Sequence, residues 1–143
     1  MVLAPDGPGA ASVWTHSGRF SLPAQGQAVL GADHPFADDV AHDLVELCHH
    51  PQGGNLILCG WSHDRPTLSF AMEKGSHAGP GPEETRAFLL APGDAPIPQK
   101  EQGYLRMLDL RIAAMRFMGR SATGAPLCAP LGDKGTKVAA AAV

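Results

Sequence analysis

The spacing of apolar and polar side chains divides the chain into a few readable segments. Ser12–Trp14 and Arg19–Leu22 alternate apolar with polar on either side of Thr15-His16-Ser17-Gly18. That is the pattern of a β-hairpin whose turn ends on a glycine free to take positive φ. Further on the period lengthens. Val40, Leu44, Leu47 and Cys48 recur at i, i+4, i+7 and i+8, one apolar stripe of an amphipathic helix. Pro35 suits a first helical turn, and Asp38 and Asp39 stand where carboxylates favour a helix N-terminus. His49 and His50 close the pattern, and Pro51 with Gly53-Gly54 stops it, so a helix is predicted over 38–50.

The second half reads in the same way. Asn55–Trp61 (NLILCGW) is an apolar run between turn signals, predicted as a buried strand. A turn at 62–66 leads to Thr67–Met72 (TLSFAM), which would complete a hairpin with it. A Gly/Pro loop comes next, then one helical turn at Pro82-Glu83-Glu84 and a strand over Arg86–Ala91. After a loop at Pro92–Pro98, Tyr104 to Met118 forms a second long helix. Leu105, Leu108, Ile112 and Met115 line one of its faces; Met107, Leu110, Ala114 and Phe117 line another. A surface that broad implies packing on both sides or a missing partner. Gly119 is a natural C-cap. Residues 1–11 read as a flexible lead-in, 12–119 as one α/β domain, and 120–143, ending in VAAAAV, as a loose tail. The fold expected is a small mixed sheet of about three to five strands with two main helices on one face.

Composition narrows the class. A chain of 143 residues fits one domain and buries roughly two thirds of its unfolded surface. Its 44% hydrophobic and 17% charged content is that of a globular protein, and 17 Gly with 13 Pro require many turns. A net charge of −3 with no basic stripe argues against nucleic acid as a partner. No apolar run approaches the ~20 residues that cross a bilayer, and MVLAPDGPGA lacks the basic and apolar regions of a signal peptide. Cys48, Cys59 and Cys128 have no metal-type spacing. They read as reduced cysteines, the first two in the core, which points to the cytoplasm.

Seven histidines raise the question of metal binding. On the helix at 38–50, His42 and Glu46 are one turn apart, as are Glu46 and His50. A solvated helix face explains the same residues. Asp33-His34 and His63-Asp64 read as turn residues. The segment EKGSHAGPGPEET carries more: His77 is flanked by small residues that let a ligand approach, and Glu73 lies at a strand end. A carboxylate with a neutral imidazole suits zinc or manganese. A tight loop with a solvated histidine accounts for the same letters. Nucleophilic catalysis has less support. Cys59 lies in an apolar strand, and Ser76 adjoins His77 in sequence, which does not bring their side chains together.

From Asn55 to Pro92, and more loosely to Gly119, the sequence resembles the C-terminal part of the alkaline phosphatase superfamily, in its type I phosphodiesterase, nucleotide pyrophosphatase and sulfatase branches. LSFAMEKGSHAGP matches a strand and metal loop, RAFLLAP the next strand, and LDLRIAAMRFMGR the closing helix. The resemblance implies that His77 is the loop's metal-binding histidine, and that Glu73 stands where the family places an aspartate. Such enzymes hydrolyse small phosphate or sulfate esters at a two-metal site. Two departures are plain. No Asp-His-Gly is present, Asp33-His34-Pro35 being a poor substitute, and a chain this short does not hold the half that carries the nucleophile. The resemblance therefore implies a fragment or reduced relative, inactive alone and associated with a missing domain. The alternative is a non-catalytic interaction or homo-oligomerisation domain built on the second helix.

Overall fold

The hairpin forms where the alternation places it, with β2 at Ala11–Thr15 and β3 at Gly18–Leu22. Val13 pairs with Phe20 and Thr15 with Gly18, whose φ of 134° is a conformation that side-chain-bearing residues avoid. A computed structural model describes residues 1–69, 72, 79–121 and 138–142 of the chain. It divides into two compact units, Met1–Thr85 and Arg86–Val143, where the sequence suggested one domain over 12–119.

The expected lead-in is instead a strand of the first unit. Val2–Pro5 forms β1, which pairs antiparallel with β2 in the register Leu3↔Val13 and Pro5↔Ala11. Its Gly/Pro-rich continuation is the connecting turn, with Gly7 and Gly9 at φ of 73° and 70° and the Asp6 N–H donating to the Ala10 carbonyl at 3.0 Å. Three apolar residues carry too little period to announce a strand; a long-range ladder creates it.

The apolar run at 55–61 also differs from expectation. Only Ile57–Leu58 pairs, as β4, at the free side of β1. Helices cover one face of the sheet, so Ile57 is half-buried while Leu58, on the opposite face, is 77% exposed. The chain does reverse at 62–66, through a bridge between Ser62 and Arg65 and the Leu68 N–H on the Gly60 carbonyl at 2.9 Å. Thr67–Ser69 continues without a strand ladder, and most of 70–78 lies outside the described residues. The sheet has the order β3-β2-β1-β4 and every pairing is antiparallel.

Two helices pack on the inner face. Ala37–His49 is α2, and a five-residue helix that the pattern did not announce, Gly26–Leu30, is α1. The buried stripe of α2 is Ala37, Val40, Ala41, Leu44, Val45 and Cys48. Leu47 belongs to the expected stripe, but at 100° per residue it falls beside the buried one and is 45% exposed. These side chains form one core with Leu3, Ala11, Val13, Leu22, Val29, Leu30 and Trp61. The unit ends on α3, Pro82–Thr85, at the Pro-Glu-Glu helix signal.

The second unit holds β5 (Phe88–Pro92), α4 (Met107–Phe117) and β6 (Val138–Ala142). The alanine run assigned to a loose tail pairs antiparallel with β5, Phe88 opposite Ala142 and Pro92 opposite Val138. Helix α4 ends in a Schellman motif: the Arg120 N–H reaches the Met115 carbonyl at 2.8 Å, and that of Gly119, at φ 67°, reaches Arg116 at 3.0 Å. The molecule is thus a small mixed α/β protein with a four-stranded antiparallel sheet and several helices. No helix among the described residues is long and apolar enough to cross a membrane.

Candidate functional site

Glu73 and His77, the ligands expected from the sequence, lie outside the described residues, as does Ser76. Just beyond them, the Gly79 N–H donates to the Glu84 carboxylate, and the Glu84 and Thr85 N–H groups both donate to the Gly81 carbonyl at 3.0 Å. Glu84 thus spends an oxygen on closing its own turn, while Glu83 remains exposed.

His34 anchors this turn. The sequence places it in a solvated turn, yet it is 7% exposed. Its Nε2 lies 2.8 Å from the Pro80 carbonyl and its Nδ1 accepts the Phe36 N–H at 3.1 Å. A carbonyl only accepts, so Nε2 carries the proton and Nδ1 the lone pair, a single neutral tautomer. The ring meets Trp61 edge-on, with centroids 6.4 Å apart at 88°. Pro80 and Gly81 are buried, and a Cβ on Gly81 would sit 2.5 Å from Trp61 Nε1, so only a glycine lets the backbone lie against the indole.

Two cavities adjoin Trp61. One, of about 510 Å³, is polar, with Asp33, His34, His63, Thr67 and Glu83 in its wall. His63 is held there by its Nδ1, 3.2 Å from the Val29 carbonyl, and by Gly31, where a Cβ would approach His63 Cβ to 3.3 Å. The other, of about 370 Å³, has apolar walls from Phe20, Val29 and Trp61, with His16, Ser62 and Asp64 at its rim. His16 Nε2 lies 3.1 Å from Asp64 Oδ2 and 2.9 Å from Ser17 Oγ. These three residue types recur in hydrolases, but there the acid and the nucleophile occupy different ring nitrogens. Here both contact Nε2, so His16 cannot take a proton from Ser17 while Asp64 orients it from behind. The Ser62 hydroxyl donates to Asp64 Oδ1 at 2.6 Å. That bond, with the nearby His16 and His63 rings, holds the Asp64 carboxyl below the usual carboxylate range.

The histidines of α2 engage backbone. His42 Nδ1 is 2.7 Å from the Asp38 carbonyl, His49 Nε2 is 2.9 Å from that of Ala10, and His50 Nδ1 accepts the Gln52 N–H. Among the described residues no three or more His, Cys, Asp or Glu side chains converge as a metal site. His34 does not suit one, having both nitrogens engaged; Asp33 and Glu83 present carboxylates to the polar cavity, a donor type that zinc and manganese accept. Cys48 is buried, which pushes its thiol pKa up, while Cys59 borders the apolar cavity. Sequence reasoning missed His34 and Trp61 as organising residues, because their contacts join positions far apart in the chain. Compared with protein families, curated proteins and solved structures, the chain matches none.

Proposed function

We propose that this chain is a C-terminal part, or a reduced relative, of a metal-dependent phosphate- or sulfate-ester hydrolase resembling the alkaline phosphatase superfamily. In this reading His77 and Glu73 ligate zinc or manganese, and the half that carries the nucleophile is supplied elsewhere. The order of elements carries it. The resemblance asks for a metal loop, then a strand with an apolar-Pro pattern, then a helix that opens with an Asp and ends in Leu-Gly; EKGSHAG is followed by β5 ending at Ala91-Pro92 and by α4, with Asp109 in its first turn and Met118-Gly119 at its end. The polar cavity walled by Asp33, His63, Arg65 and Glu83 adds support, since a charged ester needs polar groups to orient it. A bound divalent ion would supply Lewis-acid stabilisation of ester oxygens. Calorimetric titration with zinc and manganese tests this: the native chain binds, and His77→Ala and Glu73→Ala each weaken binding at least about tenfold. Equal binding by all three proteins removes the metal role.

A second reading, an interaction or oligomerisation module, draws on the apolar side chains that the second unit exposes. Met107, Leu108, Phe117 and Met118 on and beside α4 and Phe88 and Leu90 on β5 all face solvent. Sedimentation velocity over a hundredfold concentration range separates the readings, a strict monomer speaking against the second.

A further inference from the structure

We propose that the apolar cavity of the first unit, between the β2–β3 turn and the chain reversal at 62–66, binds a small monocarboxylate with an aromatic or aliphatic body, Arg65 holding its carboxylate. The site is built from residues 1–68 and stands apart from the hydrolase reading. At about 370 Å³ the cavity falls at the small end of ligand pockets, room for one ring and a short arm. Phe20, Val29 and Trp61 give it walls that an apolar group gains by covering. At the rim, the contact of His16 with Asp64 at 3.1 Å joins the turn to the reversal. The charge of the ligand follows from which polar groups of the wall are already spent. Asp64 accepts from Ser62 at 2.6 Å and faces His16, and Ser17 Oγ lies 2.9 Å from the same His16 nitrogen. Thr15 Oγ1 accepts the Ser17 N–H at 3.0 Å, and the proton on His63 Nδ1 is used on the Val29 carbonyl. Arg65 differs: among the described residues its guanidinium has no hydrogen bond or ion pair, although it borders the cavity. A guanidinium presents a rigid fork of donors that matches a carboxylate. One free guanidinium beside one fixed carboxylate, that of Asp64, suits a single negative charge and disfavours a phosphate dianion. Arg65 also borders the polar cavity, but Asp33 and Glu83 repel an anion there, which leaves the apolar side for the head group and its body.

NMR titration of the full chain with 3-phenylpropanoate near neutral pH tests the site, with 3-phenylpropanamide as the uncharged counterpart. The Ser17, Gly60 and Leu68 amides report on the cavity. The acid is expected to bind with a Kd of about 1 mM or below, and the amide about fivefold or more weakly. Arg65→Gln should weaken the acid by about fivefold and leave the amide within about twofold, a modest factor because Arg65 is exposed and water screens its charge. Ala28→Phe puts a ring at an exposed position of α1 that borders the cavity, and should abolish binding of both compounds. No saturable shift in the native chain at about 10 mM acid overturns the site. Equal affinity for acid and amide overturns the carboxylate assignment on the native chain alone, as does native acid affinity in a folded Arg65→Gln protein. Acid binding undisturbed in Ala28→Phe places the ligand elsewhere and overturns the cavity.

Discussion

At the residue scale, the charged groups of this protein act through hydrogen bonds more than through burial. Asp6 accepts from Ser12 Oγ at 2.5 Å and from Arg19 at 2.9 Å, Asp64 accepts from Ser62, and Asp109 pairs with Lys100 at 2.7 Å and with the Arg106 N–H. In each case the first-named donor is the main reason the carboxyl titrates below its usual value. A depressed folded pKa adds stability that is complete above the unfolded value of about 3.9 and is lost as pH falls through the folded one. The urea midpoint should therefore hold level from about pH 5 upward and drop below about pH 4. In Ser62→Ala, NMR titration should find Asp64 moved up toward the ordinary range while Asp6 stays put. The buried Cys48 thiol, its pKa raised, should react with a disulfide reagent only as the protein unfolds.

At the scale of elements, close backbone approach decides what the chain tolerates. Gly26 opens α1 where that helix meets α2, and a Cβ there would lie 2.9 Å from Ala41 Cβ. Replacing a helical glycine by alanine gains up to about 1 kcal/mol of backbone entropy, whereas overpacking a rigid contact costs about 1–3 kcal/mol. The clash should win, so Gly26→Ala is predicted to lower stability by about 1–2 kcal/mol, measured by urea unfolding. Leu3 makes the complementary case. It is fully buried and pairs with both Val13 and Ile57, so Leu3→Ala should cost about 2–5 kcal/mol despite its position in a segment that reads as a lead-in.

At the scale of the molecule, the division after Thr85 has a consequence for folding. The main core, from Leu3 to Trp61, is drawn wholly from the first unit, while Leu105 and Ala113 are buried in the second. A unit with its own core unfolds cooperatively on its own. A fragment covering Met1–Thr85 should therefore keep a single urea transition, with the β1–β2 amides protected. A fragment with no transition would show that the second unit is needed to complete the first.

How far the sequence reached depends on how local each interaction is. The β2–β3 turn, the stripe of α2, the Pro-Glu-Glu turn of α3 and the Gly119 cap of α4 all rest on residues within a few positions of one another. The amino-acid order states them directly. Nothing local marks Val2–Pro5 or Val138–Ala142 as strands, because their backbone groups find partners at Val13, Ile57 and along Phe88–Pro92. The burial of His34 likewise depends on Pro80 and Trp61 arriving from elsewhere in the chain. The expectation placed on EKGSHAG comes from its letters alone, whereas the packing around His34 exists because folding sets a histidine, an indole and a glycine against one another, contacts that no short window of sequence contains.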